Sequence, residues 1–489
     1  MEIEAAFQNA KPNFSIVGLG DVAVQESRER VRHAIKSAGF SFPRGRVAVN
    51  LAPGDIRKQG PRFDMAIALG ILISSGQISS SINLDEVIFL GELAFSGHFR
   101  GVSGVLPTVS EAKNLGFSAV FVPKENISEA ALIPGISIYG VEHLQDLVNH
   151  LSGMETIRPE PVKNFETTLP DILESDFRHI RGNESAKRAL EIAAAGGHNV
   201  LMTGPPGSGK SMLAKAFATI LPDLTIEEAL EITNLHSIAG LTNQENPVIT
   251  ERPVRNVHHT ASGVAIVGGG NPPRPGEISL AHRGVLFLDE FAEFPTKTLE
   301  VMRQPLEDGT ITISRSSGTL IFPAKFSLIA AMNPTPSGYD RDDPRCTSSL
   351  FEIQRYQSKI SGPILDRIDL HISVPNIPFE KLSQMDEGES STVIRTRVQK
   401  ARNIQRNRFK NTVVKSNAEM GSEMVKKFSL LDKDSSALLK SAVEQMDLSG
   451  RAYYRILKVA RTIADLESAE NITSTHIAEA LQYRDKVVR

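Results

Sequence analysis

Eight consecutive residues, Gly204-Pro205-Pro206-Gly207-Ser208-Gly209-Lys210-Ser211, carry the strongest chemical signal in this chain. They follow an apolar run, NVLMT, and lead into SMLAKAFATIL, which begins at Ser211-Met212 and reads as a helix. G-x-x-x-x-G-K-[ST] between a strand and a helix lets the backbone curl until its N–H groups face an anion, and the helix N-terminus adds positive charge. The chemistry is a grip on a nucleoside triphosphate by the backbone from Gly204 to Met212. Lys210 would reach the β- and γ-phosphates and Ser211 would ligate Mg²⁺.

Downstream, VLFLDE (Val285 to Glu290) is a buried-strand pattern ending in two carboxylates. A strand ending in Asp-Glu is common at protein surfaces; joined to the phosphate loop, it gives Asp289 the Mg²⁺ shell and Glu290 the attacking water. A third run, FSLIAAM, ends in Asn333, whose amide suits a water or a γ-phosphate; the plain alternative is an Asn-Pro turn. Arg367, in SGPILDRIDLH, suits the charge that develops as the γ-phosphate leaves, supplied by a neighbouring subunit. The alternative is pairing with Asp366 or Asp369. Arg451 opens the helix RAYYRILKVARTIADL, from which it would reach the nucleotide; otherwise it lies on a solvated face, and Arg455 and Arg461 on the same helix are weaker candidates.

These side chains need a scaffold. The 489 residues suggest about three domains. Residues 1–153 mix strands (Phe14 to Gly18, Arg46 to Leu51, Val87 to Leu90, Ala119 to Val122) with helices (Glu26 to Ala38, Asp64 to Ser74), a compact α/β or α+β unit. Residues 154–175 read as a Pro-rich linker. Residues 176–380 carry recurrent strands (Asn199 to Thr203, Val285 to Asp289, Phe326 to Met332, Leu370 to Val374) with helices between, as in a parallel α/β sheet. Residues 381–489 are helical, over 391–410, 434–446, 451–468 and 474–484, with Thr473 as an N-cap.

Composition narrows the classes. With 54 basic and 57 acidic residues the net charge is −3, which excludes a polybasic protein but not a local nucleic-acid patch. One cysteine, Cys346, excludes a disulfide scaffold and an all-Cys zinc site. No Trp and 6 % aromatics argue against broad base-stacking platforms. No basic leader opens the chain and no apolar run reaches a membrane span, so a soluble, cytoplasmic protein is expected.

The segments HIRGNESAKRALEIAAAGGHNVLMTGPPGSGKSMLAKA, RPVRNVHHTASGVAIVGGG, PRPGEISLAHRGVLFLDE, RQPLEDGTITISR, AAMNP and KISGPILDRIDLH together resemble the magnesium-chelatase-like AAA+ ATPases, and the bacterial YifB/ComM family among them. The likeness covers nearly the whole chain. It implies an AAA+ P-loop α/β core, a C-terminal helical lid and an ATP-driven homo-oligomeric ring, hexameric, with each site shared between subunits. It implies Lys210 and Ser211 in Walker A, Asp289 and Glu290 in Walker B, Asn333 as first sensor, Arg367 as the trans finger and Arg451 as second sensor. It implies pore insertions around 236–275 and at the hairpin of ITISRSSGTLIFPAKF, tip Ser316-Ser317-Gly318. For substrate it implies branched or single-stranded DNA, moved by branch migration in recombination or natural transformation; a ring that remodels a protein partner is the alternative. Two departures stand out. Pro334-Thr-Pro-Ser-Gly338 replaces a Cys-bearing run, which removes support for metal or redox chemistry there, and the front end looks clipped by a strand.

The front domain also resembles the Lon protease domain, an α+β fold, through GPRFDMAIALGILISSGQI and the segment from GELAFSGHFRG onward. Aligned so, Arg62 stands at the nucleophile position and Leu106 at the lysine position, and neither serves proteolysis. Arg395 to Lys410 is the most basic stretch. On a helix Ile394, Val398, Ala401 and Phe409 form an apolar stripe, while Arg395, Arg402, Arg406 and Lys410 form a second stripe, solvated or phosphate-binding. Arg57 and Lys58 read as a solvated pair. His258-His259 lack a third ligand at zinc spacing, and adjacent side chains diverge.

Overall fold

The computed structural model describes residues 1–54, 58, 60–163, 175–242, 248–270, 273–315, 318–377, 387–446 and 448–484. The chain divides into two compact units, Met1–Glu166 with Ala229–Ile249, and Thr167–Glu228 with Thr250–Arg489.

The first unit is α+β. Glu2–Gln8 alternates apolar Ile3, Ala5 and Phe7 and pairs antiparallel with Arg46–Ala52, which on its other side pairs parallel with Asn13–Val17. Glu2–Gln8 was not read as a strand from sequence, because acidic and small residues mask its alternation. A second sheet sets Ala119–Pro123 between Val87–Phe89 and Ser137–Val141, all parallel. The helix Asp64–Ser74 is apolar almost throughout and begins at a fully buried carboxylate. Asp64 accepts from Arg30 Nε at 2.7 Å, Ser27 Oγ at 2.5 Å and Leu93 N at 3.2 Å, the full hydrogen bonding that a buried charge requires. Residues Ala229–Ile249 were expected within the second domain. They join this unit because Leu230 and Val248 pack on the cluster of Leu106, Val109 and Val120.

The second unit is built on five short parallel strands: β1 (Val200–Thr203), β2 (Val254–Val257), β3 (Val285–Leu288), β4 (Ser327–Met332) and β5 (Leu370–Ser373). Their order is β5-β1-β4-β3-β2. The inner strands read as unbroken apolar runs because helices cover both faces. Edge strand β2, VRNV, has only two apolar residues and escaped the sequence reading. An antiparallel hairpin, Thr310–Arg315 with Gly318–Pro323, stands apart from this sheet; Ser316 and Ser317 of its expected tip lie outside the described residues.

Helices α1 (Glu184–Gly196) and α2 (Lys210–Thr219) flank β1 in sequence, and α3 (Ser391–Arg408) and α4 (Gly450–Leu466) belong to the C-terminal helical region. That region shares one hydrophobic core with the sheet: Leu190 and Ile192 of α1, Val200, Phe217, Ile394, Val398, Ile456 and Ile463 form a single cluster. The apolar stripe expected on α3 is buried as anticipated. Ser422–Phe428 is a further helix that sequence reading missed, and Thr473 caps the last helix, its N–H donating to His476 Nδ1 at 3.0 Å. Among the described residues, no helix is long and apolar enough to cross a membrane.

Candidate active site

Because the strands run parallel, their carboxyl ends share one edge of the sheet. The phosphate loop leaves β1 there, Asp289 and Glu290 leave β3, and Asn333 leaves β4. The loop depends on glycine at defined points. Gly207 and Gly209 hold φ of +77° and +92°, and a Cβ on Gly204 would sit 2.1 Å from Val374 O.

Lys210 opens α2 and turns back into the loop. Its Nζ donates to Gly204 O at 2.6 Å, Pro205 O at 2.9 Å and Asn333 Oδ1 at 3.2 Å. Burial pulls its ammonium below the ordinary lysine value, with Asp289 pulling the other way. Ser211 Oγ donates to Asp289 Oδ2 at 2.8 Å. The hydroxyl and carboxylate expected to share a cation are thus already adjacent. Ser208 Oγ is buried in the loop without a partner, and Met212 is exposed beside it. This donor set fits a nucleoside triphosphate with Mg²⁺: a curl of amides, one cation on neutral carbonyls, and an oxygen pair of the kind Mg²⁺ takes. Lys210 and Ser211 would hold them, and the cation would neutralise phosphate charge.

Glu290 adopts a left-handed backbone at φ +52°, unusual for a side-chain-bearing residue, two residues beyond the end of β3. His259, two residues beyond β2 and lateral to Glu290, places Nδ1 2.9 Å from Glu290 Oε2, close but out of line for a hydrogen bond. The expectation that His258 and His259 diverge is corrected. Their ring centroids lie 4.1 Å apart, and one ligand atom from each comes within 4.8 Å of the others and of Glu290. Sequence reading missed this link because β2 was not recognised, and strand pairing is what carries His259 to Glu290. It also missed Tyr356. Burial and the charges of Glu293 and Glu290 push its hydroxyl up to about 12.

The amino ends of the strands form the opposite edge, and the arginines gather there. A cavity of about 580 Å³ is lined by Asn199, Gly284, Ser327 and Asp369 at the starts of β1, β3, β4 and β5, and by Arg367 and Arg451. Arg367 is buried; it donates to Pro363 O and pairs with Glu307, not with Asp366 or Asp369. Arg451, exposed, reaches the other oxygen of Glu307 at 3.0 Å. The structure therefore sets Arg451 beside Arg367 and not beside Lys210. Arg455 and Arg461 are structural: Arg455 donates to Ile368 O at 2.8 Å and Arg461 to Asp465 at 3.1 Å.

Two further expectations change. The basic stripe of α3 is solvated only at its end, at Lys410, since Arg395 and Arg406 engage Asp223 and Arg402 is buried. Lys58 is buried too, donating to Pro53 O; Arg57 lies outside the described residues. Leu106 is fully buried, and Arg62 directs its guanidinium at Gly104, 3.3 Å from where a Cβ would stand. Cys346 receives a hydrogen bond from Ser337 Oγ at 3.4 Å.

Comparison with known proteins agrees with this geometry. Residues 176–382 match the family described as magnesium chelatase, subunit ChlI; residues 3–126 match subunit ChlI of Mg-chelatase, and 388–484 its C-terminal part. The chain is 44 % identical over 489 residues to the competence protein ComM of Haemophilus influenzae, covering 99 % of this chain and 94 % of that protein. It is 41 % identical over 485 residues to YifB of Escherichia coli, covering 99 % and 93 %. A more distant likeness, 22 % over 354 residues (65 % of this chain, 38 % of the other), links it to the DNA replication licensing factor mcm-6 of Caenorhabditis briggsae. With that identity along almost its whole length and the phosphate loop, carboxylates and amide on adjoining parallel strands, the chain belongs to the magnesium-chelatase-like family of the ComM and YifB type.

Proposed function

We propose that this protein is an ATP hydrolase that assembles into a ring, hexameric, and uses each hydrolysis event to remodel branched or single-stranded DNA by branch migration. The observation that carries the reading is the split between the two edges of one sheet. Lys210, Ser211, Asp289, Glu290 and Asn333 stand at one edge, and Arg367 and Arg451 at the other. Strands of four to six residues separate the edges by about 13 to 20 Å, farther than an arginine side chain reaches. A protomer's arginines therefore serve a neighbour's nucleotide, and hydrolysis requires assembly. Glu290 draws the proton from the attacking water, Asn333 orients that water, and Lys210 with the neighbour's Arg367 and Arg451 stabilises charge on the departing phosphoryl group.

DNA as substrate rests on the relatives, one a competence protein and one a DNA replication factor. The first unit acts as a docking or scaffold module of the Lon-protease-like α+β type without proteolysis, since Leu106 and Arg62 hold the positions of a lysine base and a nucleophile. The protein works in the cytoplasm. The test is a synthetic four-way junction with ATP and Mg²⁺, wild type beside Glu290→Gln. Wild type is expected to hydrolyse faster with DNA and to move the junction, and the variant to do neither. Hydrolysis indifferent to DNA, with no junction movement, would transfer the reading to a ring that remodels a protein partner.

A further inference from the structure

The cavity at the amino edge holds more positive charge than its carboxylates neutralise. Glu307 holds Arg367 and Arg451; Glu419 holds Arg283 and Lys325, each at 3.1 Å; Glu228 holds Arg252 at 2.9 Å; Asp366 meets Arg455 at 3.4 Å. Asp369 is taken by His198 and by the Asn199 N–H, and Asp308 stands exposed at the rim. Two lining cations remain without a carboxylate in ion-pair range among the described residues, Arg402 of α3 and Lys458 of α4.

Arg402 is 8 % exposed. Its Nη2 donates to Ala194 O at 3.0 Å and its Nη1 to Lys415 O at 3.4 Å, while its buried Nε donates to nothing. Lys458, half-buried, donates to Ala418 O at 2.8 Å. Both therefore grip one short segment, residues 415–418, from two helices. Gly197, at φ +74°, leaves the room: a Cβ there would lie 3.8 Å from Arg402 Nη2 and 2.9 Å from Ser416 Oγ. A buried guanidinium held only by neutral carbonyls is costly, and a buried donor without a partner calls for one.

We propose that Arg402 and Lys458 form an oxyanion site that takes a phosphate group, separate from the phosphate loop and from the Glu307-bound arginines. A phosphate oxygen supplies the acceptor that Arg402 Nε lacks and a negative charge within ion-pair range, in charge-assisted bonds, nearer than the carboxylates of Glu228 and Glu419 that act on Arg402 and those of Asp369 and Glu419 that act on Lys458. Burial, with Arg252 and Arg406 beside Arg402 and Arg455 beside Lys458, pulls both groups below their ordinary values against the opposing pull of these carboxylates, and a bound anion would add to that pull. The phosphate is either free phosphate or part of a nucleotide. At its depth Arg402 is out of reach of a duplex backbone.

The test uses the full chain carrying Lys210→Ala, which disables the phosphate loop, with radiolabelled inorganic phosphate in equilibrium dialysis. One phosphate per protomer is expected. Adding Arg402→Met should weaken binding at least tenfold, Arg402→Lys should retain part of it, and Arg451→Ala should leave it unchanged. Competition by ADP would assign the site to a nucleotide's phosphates, and its absence to free phosphate; either supports an oxyanion site. Thermal unfolding guards against misfolding. Phosphate should raise the midpoint of the Lys210→Ala chain and not that of the double variant, whose midpoint without phosphate should not fall. No binding to Lys210→Ala, or binding lost with Arg451→Ala yet kept with Arg402→Met, would overturn the proposal.

Discussion

The two edges of the five-stranded sheet hold their cations in opposite ways. At the carboxyl edge, Lys210 rests on the neutral oxygens of Gly204, Pro205 and Asn333. At the amino edge, Arg367 and Arg451 rest on the carboxylate of Glu307. A neutral cradle leaves the lysine charge available to an anion at once. A carboxylate clamp keeps two arginines aligned and screened until a stronger anion competes for them. In the ring proposed above, the first edge binds and the second is presented to a neighbour, the asymmetry that identical subunits in a closed ring require.

Silencing one edge at a time separates their roles. Glu290→Gln should lower steady-state ATP hydrolysis about ten-thousandfold, the upper range for loss of a general base, while ATP stays bound in a filter assay. Loss of nucleotide binding in this variant would remove Glu290 from its role. Arg367→Ala should cost about a thousandfold, as for an arginine finger. Mixing it with Glu290→Gln protomers should restore measurable hydrolysis, because one variant keeps the carboxyl edge and the other supplies the arginine. A silent mixture would mean that the two edges do not meet across subunits.

Smaller effects sharpen the picture. Arg451→Ala should lower kcat about tenfold, near the value of one charge-assisted hydrogen bond, and mixing with Glu290→Gln should rescue it as it does Arg367→Ala. If Arg451 instead served its own subunit's loop, mixing would not help. The amino edge should also fail first in acid. Burial works to raise the Glu228 carboxyl, but Arg252 and the Thr225 N–H outweigh it and hold the group at about 2, below its ordinary 4.5. A depressed carboxyl contributes stability above its unfolded value and loses it as pH falls towards the folded one. Unfolding midpoints should therefore drop between about pH 4.5 and 2, and Glu228→Gln should flatten that part of the profile.

At the carboxyl edge the residues and their place were legible in sequence; at the amino edge Arg367 and Arg451 were legible as candidates, but not the carboxylate that brings them together. Lys210, Asp289 and Asn333 each follow an apolar run that a parallel strand requires, so local pattern marks both the strand and its functional end. Glu307 sits in RQPLEDG with no such marker. Its value appears only when residues 144 positions apart, Glu307 and Arg451, meet. Likewise β2 was missed because an edge strand needs little apolar surface, and with it went the approach of His259 to Glu290. The stripe of α3 was seen correctly as a stripe, but period alone does not say what covers it. Asp223, Glu228 and Ala194 O do.

Glycine placement and apolar period act within a few residues, so the phosphate loop, the paired carboxylates and the parallel sheet that carries them follow from local sequence. Which arginines stand together, which buried cation has no carboxylate in ion-pair range among the described residues, and that both lie opposite the loop emerge only when the chain is folded. Strand direction sets those facts, and charges are neutralised through space rather than along the chain.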